Sequence, residues 1–323
     1  MNTFQERSYA LMGSACPKKE LGKSKPAQNR VAVHVINANK GLVLRTCKPA
    51  KNGIFPKKLR RLNGPESEML HGWLFGEGQY RHDESTLRGE TCWQVVEVNL
   101  VEVSKLEGSV SFSHGIIRHS GDKLSATQYL LEHEPRSRNA TVIGAYLRVG
   151  NRRRVRVGAV GTAITGDKGT AFAGDFGEAV AGKYGLAIAG KKGTSSAGDR
   201  GHARVGDYGK ATAGKHGKAF AGNCGEALAL AYGIASAGVR GNATAGDFGF
   251  AIVDYMGTAC AGVNGTVCAG DGGEIRLKYE ICDGQSKSVI GCIGENGLRP
   301  RTAYKLDADH EFVPASQIWG AFE

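Results

Sequence analysis

Proline is scarce in this chain of 323 residues, with eight in all and none between Pro135 and Pro300. Collagen needs abundant proline and a glycine at every third residue, so the 48 glycines, about twice the ordinary share, serve some other pattern. Aromatic residues make up only 7%. Long apolar runs are missing: the longest uncharged stretch worth testing, Ala227 to Val239, is far short of the about 20 residues a membrane helix needs. The chain opens on charged residues at Glu6 and Arg7 with no long apolar run, so no secretory leader is expected. Eight cysteines occur without a C-x-x-C pair or a histidine at metal spacing. That excludes a metal framework and points to reduced thiols in a cytoplasmic setting, with no cofactor expected.

Acidic residues are in deficit only in the first half. Residues 1–160 carry 26 Lys+Arg against 14 Asp+Glu, and the remainder 16 against 17, so the N-terminal part holds the whole formal charge of +11. An anionic partner is therefore expected to meet that part.

The feature that is present in abundance is a repeat of eight residues. A glycine opens each of fourteen units from Gly161 to Gly265, and a second glycine follows five residues later except at Leu230 and Asp254. Between them runs G-x-A-x-A-G, as at Ala171 and Ala173 or Ala243 and Ala245. Alternation at period two reads as a strand, and a glycine followed by two polar residues as a turn. A fixed period of this kind means a solenoid. One octad supplies a strand and a turn but cannot close a coil, so two octads per coil are expected, giving two facing parallel sheets. Seven such coils span roughly 34 Å at the spacing of paired strands.

Residues 145–152 and 153–160 keep the second glycine at Gly150 and Gly158, with Leu147, Val149, Val155 and Val157 in the inward places. They read as a capping coil, bringing the total to 14–16 octads. The fold class expected is mostly β: a basic tail over 1–28, an α+β domain over 29–144, a parallel β-solenoid over 145–272, and a β-cap and tail over 273–323. Within the cap, strands are expected at 273–279, 287–293 and 302–306, with a turn at Gly294–Gly297. In the N-terminal domain the pattern predicts strands at 31–37, 42–46, 92–98 and 110–118. Ser120 or Asp122 is placed to cap a helix over 123–133 that buries Leu124, Tyr129, Leu130 and Leu131. The glycines are expected to let the backbone turn sharply at each edge of a coil.

With alanine inward, the fourth place of the octad (Ile164, Phe172, Val180, Ile188, Phe220, Leu228 and Ile252) points outward and forms apolar columns. The reversed facing would make these the core. The last place holds Phe176, Tyr184, Tyr208, Tyr232 and Phe248 among Lys192, Arg200 and Arg240. Phe172, Ile188, Phe220, Ile252, Tyr184, Tyr208 and Tyr232 are the candidate surface for a protein partner or a second copy in a homodimer. The octads resemble those of bacterial ice-nucleation proteins. An ice-binding face needs a regular threonine array, whereas here Thr162, Thr170, Thr194, Thr258 and Thr266 are interrupted by Glu178, Leu186, His202 and Lys210.

Two basic clusters bracket the globular domain: Lys57, Lys58, Arg60 and Arg61, and Arg148, Arg152, Arg153, Arg154 and Arg156. Arg148, Arg154 and Arg156 are expected to share the outward side of the first coils as a cationic collar, which suits phosphates or serves as a solvated guard against aggregation. His71 and Glu77, on either side of Trp73 in L-H-G-W-L-F-G-E-G, are the candidate catalytic residues, the other reading being a structural turn with a core tryptophan. This stretch and the V-V-E-V after it resemble ADP-ribosyltransferase-like folds, in which His and Glu handle NAD. His114 and His119, five apart on a strand, face opposite sides and make poor co-ligands for a metal. Cys260 and Cys268 fall on opposite faces of the coil.

The order of parts resembles a family of uncharacterised phage and bacterial proteins in which a small α/β domain precedes Gly-Ala octads and a short β-segment. Leu70–Gly78, Trp93–Val98 with the G-x-V-x-F stretch from Gly108, and V-I-G-C-I-G-E-N-G-L-R-P-R-T-A-Y-K-L at Val289–Leu306 carry that resemblance. It implies a phage, prophage or mobile-element setting and no particular chemistry. Three functions follow as expectations: a non-enzymatic scaffold acting through the solenoid, a nucleic-acid binder acting through the collar, and an NAD- or nucleotide-handling enzyme acting through His71 and Glu77.

Overall fold

A computed structural model describes residues 39–47, 61–63, 69–80, 91–281 and 285–315, with 61–63 described in backbone only. The expected basic tail, the strand at 31–37 and the side chains of Lys57, Lys58, Arg60 and Arg61 lie outside the described residues.

The first part is an antiparallel sheet backed by one helix. Its strands are β1 (Lys40–Cys47), β2 (Arg61–Asn63), β3 (Leu70–Leu74), β4 (Cys92–Asn99), β5 (Ser104–Leu106), β6 (Ser109–Phe112) and β7 (His114–Gly121), in the order β2-β7-β4-β1-β3-β6-β5. The single strand expected over 110–118 is two. Ser113 breaks the run, and β6 pairs with β3 while β7 pairs with β4. Helix α1 (Lys123–His133) is capped by Asp122, whose side chain accepts the Ser125 N–H at 2.7 Å. It buries Ala126, Thr127 and Leu130, whereas Leu124 is 52% exposed. Tyr129 and Leu131 are partly buried against the same core, so of the expected stripe only Leu124 is overturned; the small residues face the sheet because they let the helix approach β4 closely.

The chain then enters the solenoid at β8 (Tyr146–Arg148) and β9 (Arg154–Arg156) and continues with one strand per octad, from β10 (Thr162–Ile164) to β23 (Thr266–Cys268). Each strand pairs in parallel with the strand sixteen residues on, as in Ala163↔Ala179 and Ala171↔Ala187. Alternate octads therefore build two facing sheets of about eight coils, as two octads per coil require. We call the sheet begun by β8 sheet one and that begun by β9 sheet two.

The alanines face inward. Ala163, Ala171, Ala179, Ala187, Ala203 and Ala211 are fully buried, and the fourth-place residues point out. The core is continuous with that of the first part: Val155, Val157 and Val160 of the first coil pack with Trp73, Trp93, Leu130 and Ile143. Lys123 Nζ donates to the Val160 carbonyl at 2.8 Å across this junction. One place in the alanine column is anomalous. Ser195, between Ala179 and Ala211, is fully buried and its Oγ has no hydrogen-bond partner. Ser195→Ala is expected to stabilise the protein by about 1–2 kcal/mol, the cost of an unsatisfied buried hydroxyl, read as a raised urea midpoint at unchanged slope.

The turns work differently from expectation. The residue with a left-handed backbone is the last of the octad, and it is not glycine: Lys168, Tyr184, Arg200, Tyr208 and Arg240 all have φ of 54° to 57°. Its N–H donates to a carbonyl of the next coil, as from Tyr184 to Asp199 at 2.9 Å. The two glycines are there for closeness. A Cβ on Gly177 would lie 2.8 Å from Ala173 Cβ and 2.9 Å from the Gly161 oxygen, and one on Gly214 would lie 2.6 Å from Asp199 N. Aspartate or asparagine in the seventh place adds a ladder of its own. Asp167, Asp175, Asp199, Asp207, Asn223 and Asp247 each accept the backbone N–H sixteen residues on, at 2.8–3.0 Å.

At the far end the octad register runs one strand further than expected. In β24 (Glu274–Glu280), Glu274 pairs in parallel with Thr258, and β25 (Ser286–Cys292) then folds back antiparallel. On sheet two, β26 (Ala303–Leu306) lies antiparallel on β23 and is followed by β27 (Phe312–Pro314). Antiparallel strands at both sheets end the parallel stack and hide its open edge.

Candidate binding surfaces

The two faces of the solenoid differ in chemistry. Sheet one turns out Glu178, Glu226 and Glu274 with Arg148, Lys210 and Arg276, interspersed with threonines. Its charges neutralise locally, as Lys210 and Glu226 do at 2.9 Å. Sheet two turns out Phe172, Leu186, Ile188, Phe220, Ile234, Phe250 and Ile252. Its other outward side chains include Arg154, Arg156, His202, Arg204 and Lys218, and no outward position from β9 to β23 is acidic. Arg156 and Arg204 lie over the rings of Phe172 and Phe220, each at 5.2 Å from the centroid. Burial first, and then the charges of Lys218 and Arg204, hold the His202 imidazole below its ordinary range. Phe172, Ile188, Phe220 and Ile252 from the candidate surface thus fall on one face, while Ile164, Val180 and Leu228 fall on the other.

Tyr184 and Tyr232 lie along one edge and Tyr208 along the opposite one. Because the same place recurs every sixteen residues, the first edge carries a ladder of stacked groups. Tyr184 lies between Lys168 (5.8 Å) and Arg200 (5.6 Å), and Arg200 also donates to its hydroxyl at 2.7 Å. His216, Tyr232 and Phe248 stack at 4.9 and 5.0 Å with rings within 11° of parallel. The ring faces within the run are taken up by one another and only the outer face of its last ring, Phe248, is left over, so along its length this edge offers ring rims rather than stacking platforms.

The arginine collar is also rearranged. Arg154 and Arg156 lie on sheet two, Arg148 on sheet one, and Arg152 and Arg153 at the turn between them. Arg148 cannot share a side with the other two, because consecutive octads belong to opposite sheets. The five arginines instead encircle the first coil, and among the described residues none has a carboxylate partner.

In the first part, His71 is exposed on β3 and lines a cleft of about 330 Å³ with Arg45, Trp73, Gln79 and Glu107. Trp73 is buried and donates from its ring to the Gln79 carbonyl at 3.0 Å. Glu77 does not line this cleft. It lies beyond the turn, bridged to Val142, so the two candidate catalytic residues are not brought together. His114 is exposed beside Ser113, and His119 packs against Tyr129 at 5.1 Å, apart from it. No group of side chains fit to hold a metal occurs among the described residues.

Two arrangements carry no sequence signal. Glu134 is fully buried, accepts the Leu42 N–H at 3.2 Å and pairs with Arg136 at 2.6 Å. Cys47 and Cys92 lie opposite each other on β1 and β4 as free thiols. Burial, together with the neighbouring Cys92, pushes the Cys47 thiol up to about 12. Cys260 and Cys268 are free and lie on opposite sheets, as two octads per coil require. No helix among the described residues is long and apolar enough to cross a membrane. Comparison with protein families, curated proteins and solved structures finds no match.

Proposed function

We propose that this protein is a non-enzymatic binding scaffold whose solenoid is a rigid rod that docks an acidic, partly apolar protein surface on sheet two. The observation that carries this reading is the absence of acidic side chains from an outward face that combines aliphatic, aromatic and cationic groups. Thr266 and Cys268 of β23 are buried, so seven strands, β9 to β21, at about 4.8 Å and four residues of about 3.3 Å give a strip of roughly 440 Å². A strip of that size is at the low end of specific interfaces and suits a transient partner.

Self-association through the same face is disfavoured by charge. Two copies related by a twofold axis at the centre of the strip would bring His202, Arg204 and Lys218 against one another. A cytoplasmic setting accords with the free thiols, and a phage, prophage or mobile-element setting with the resemblance in order of parts.

The test compares three proteins recovered from native host cells after nuclease treatment. These are the unaltered chain, a sheet-two variant (Phe172→Asp, Ile188→Asp, Phe220→Asp) and a sheet-one control (Ile164→Asp, Val180→Asp, Leu228→Asp). We expect an acidic protein that accompanies the unaltered chain and the control and is lost from the sheet-two variant. Retention by the sheet-two variant overturns the reading. Light scattering that shows a dimer abolished by the same variant replaces it with self-association.

The five arginines around the first coil, none with a carboxylate partner among the described residues, favour a second reading, nucleic-acid binding. It expects anisotropy of labelled DNA or RNA with a steep salt dependence. That dependence flattens when Arg152, Arg153, Arg154 and Arg156 become alanine.

A further inference from the structure

The run of stacked rings on the first edge of the solenoid ends at Phe248. Phe248 stacks on Tyr232 of the preceding coil, but the same place in the following coil is Asn264. One coil further the chain does not turn. β24 runs on to Glu280 and brings in Tyr279, whose ring stacks on His310 at 3.8 Å and 19°. A cavity of about 700 Å³ opens there, lined by Phe248, Asn264, Tyr279, His310, Lys278 and Lys305, a size within the usual range for small-molecule sites.

We propose that this cavity is a slot for one nucleobase, inserted where the ladder lacks a ring, with Phe248 on one side and the Tyr279–His310 pair on the other. The strand before Phe248 and β24 are two strand spacings apart, about 9.6 Å. A planar ring in contact on both faces needs about 3.5 Å on each side, about 7 Å in all, so one ring fits and two do not.

Two further features select a base over a plain aromatic side chain. The Asn264 amide makes no hydrogen bond among the described residues and offers a donor and an acceptor in one plane, the pattern that pairs with an adenine edge. Lys278 and Lys305 also line the slot without a carboxylate partner among the described residues, and they suit the phosphate of a nucleotide. Glu280 and Asp307 line it too. Asp307 already accepts the N–H groups of Asp309 and Glu311 at 3.0 and 2.9 Å, which leaves two lysines against one carboxylate, Glu280, exposed at the end of β24. The inference is independent of the sheet-two docking surface.

The test is saturation-transfer NMR on the full chain with adenosine monophosphate, inorganic phosphate and N-acetyltryptophanamide. A six-nucleotide oligoadenylate is run alongside. We expect transfer to the adenine ring protons. Asn264→Phe supplies the missing rung, and should weaken binding at least tenfold while melting no lower than the unaltered protein. Phenylalanine already occupies the equivalent left-handed position at Phe248 with φ of 57°. Asn264→Ala leaves the gap open and should weaken adenosine monophosphate several-fold without affecting tryptophanamide. Stronger binding of the oligoadenylate than of the mononucleotide assigns the base to a strand, and the reverse assigns it to a free nucleotide. No transfer to the nucleotide at millimolar concentration overturns the slot, as does equal binding by Asn264→Phe. Binding of tryptophanamide alone overturns the assignment to a nucleobase.

Discussion

Replacing Arg136 with alanine is expected to cost about 3–5 kcal/mol, the penalty for leaving a buried charge without its partner. Glu134 follows the last turn of α1 and has no exposed surface. Its carboxylate is held by the Leu42 N–H at 3.2 Å and by the Arg136 guanidinium at 2.6 and 2.8 Å. Arg136 in turn donates to the Lys40 carbonyl at 2.8 Å and lies over the Phe75 ring at 4.2 Å. The pair therefore fastens the helix to the start of β1 and to the turn after β3, with Glu134 dry and Arg136 partly in solvent. Removing the arginine strands the carboxylate, whereas removing the charge of both partners does not. Urea unfolding should accordingly show Arg136→Ala as severely destabilised and Glu134→Gln with Arg136→Ala as recovering a substantial part of the loss. If the double variant is as unstable as the single, the cost lies in the lost contacts of Arg136 with Lys40 and Phe75 rather than in the buried charge.

Nothing in the order of residues announces that pair. The Leu42 N–H that Glu134 accepts is 92 positions away, and E-P-R-S-R reads as an ordinary polar turn. The octads are legible for the opposite reason. Every hydrogen bond that closes a coil joins positions sixteen apart or nearly so, so a local period is at the same time the tertiary contact map. The inward facing of alanine is legible too, because alternation at period two assigns one set to each side.

The chemistry of the faces is less direct. The fourth-place residues mix polar and apolar types when taken in order. They separate only when odd and even octads are sorted onto different sheets. The same sorting moves Arg148 away from Arg154 and Arg156. The slot at Asn264 is hidden because its walls come from a turn, a strand and a cap hairpin. In α1, apolar spacing pointed to Leu124, yet close approach to β4 selected Ala126 and Thr127.

The role of glycine is where composition misled most, and it yields the last expectation. Gly214→Ala should destabilise by about 2–4 kcal/mol, although alanine has the better conformational economy. The added Cβ would meet Asp199 N and Oδ1 at 2.6 Å and Asp199 Cα at 2.8 Å. Two of these are backbone atoms of the preceding coil and cannot swing aside, so the coils must separate. Overpacking of that kind costs about 1–3 kcal/mol. Separation also loosens the bond from the Lys215 N–H to Asp199, 3.0 Å long, worth about 1 kcal/mol more. Arg240→Gly is the informative comparison. Arg240 already occupies the left-handed region at φ 54°, where glycine relieves strain while adding freedom to the unfolded chain. The two effects oppose each other, so this variant should stay within about 1 kcal/mol of neutral. Hydrogen exchange should find the loss in Gly214→Ala concentrated in the coils on either side, since each coil of a solenoid contacts only its neighbours. If Gly214→Ala proves neutral and Arg240→Gly harmful, the glycines serve turning rather than closeness. The coil edges would then be governed by backbone freedom.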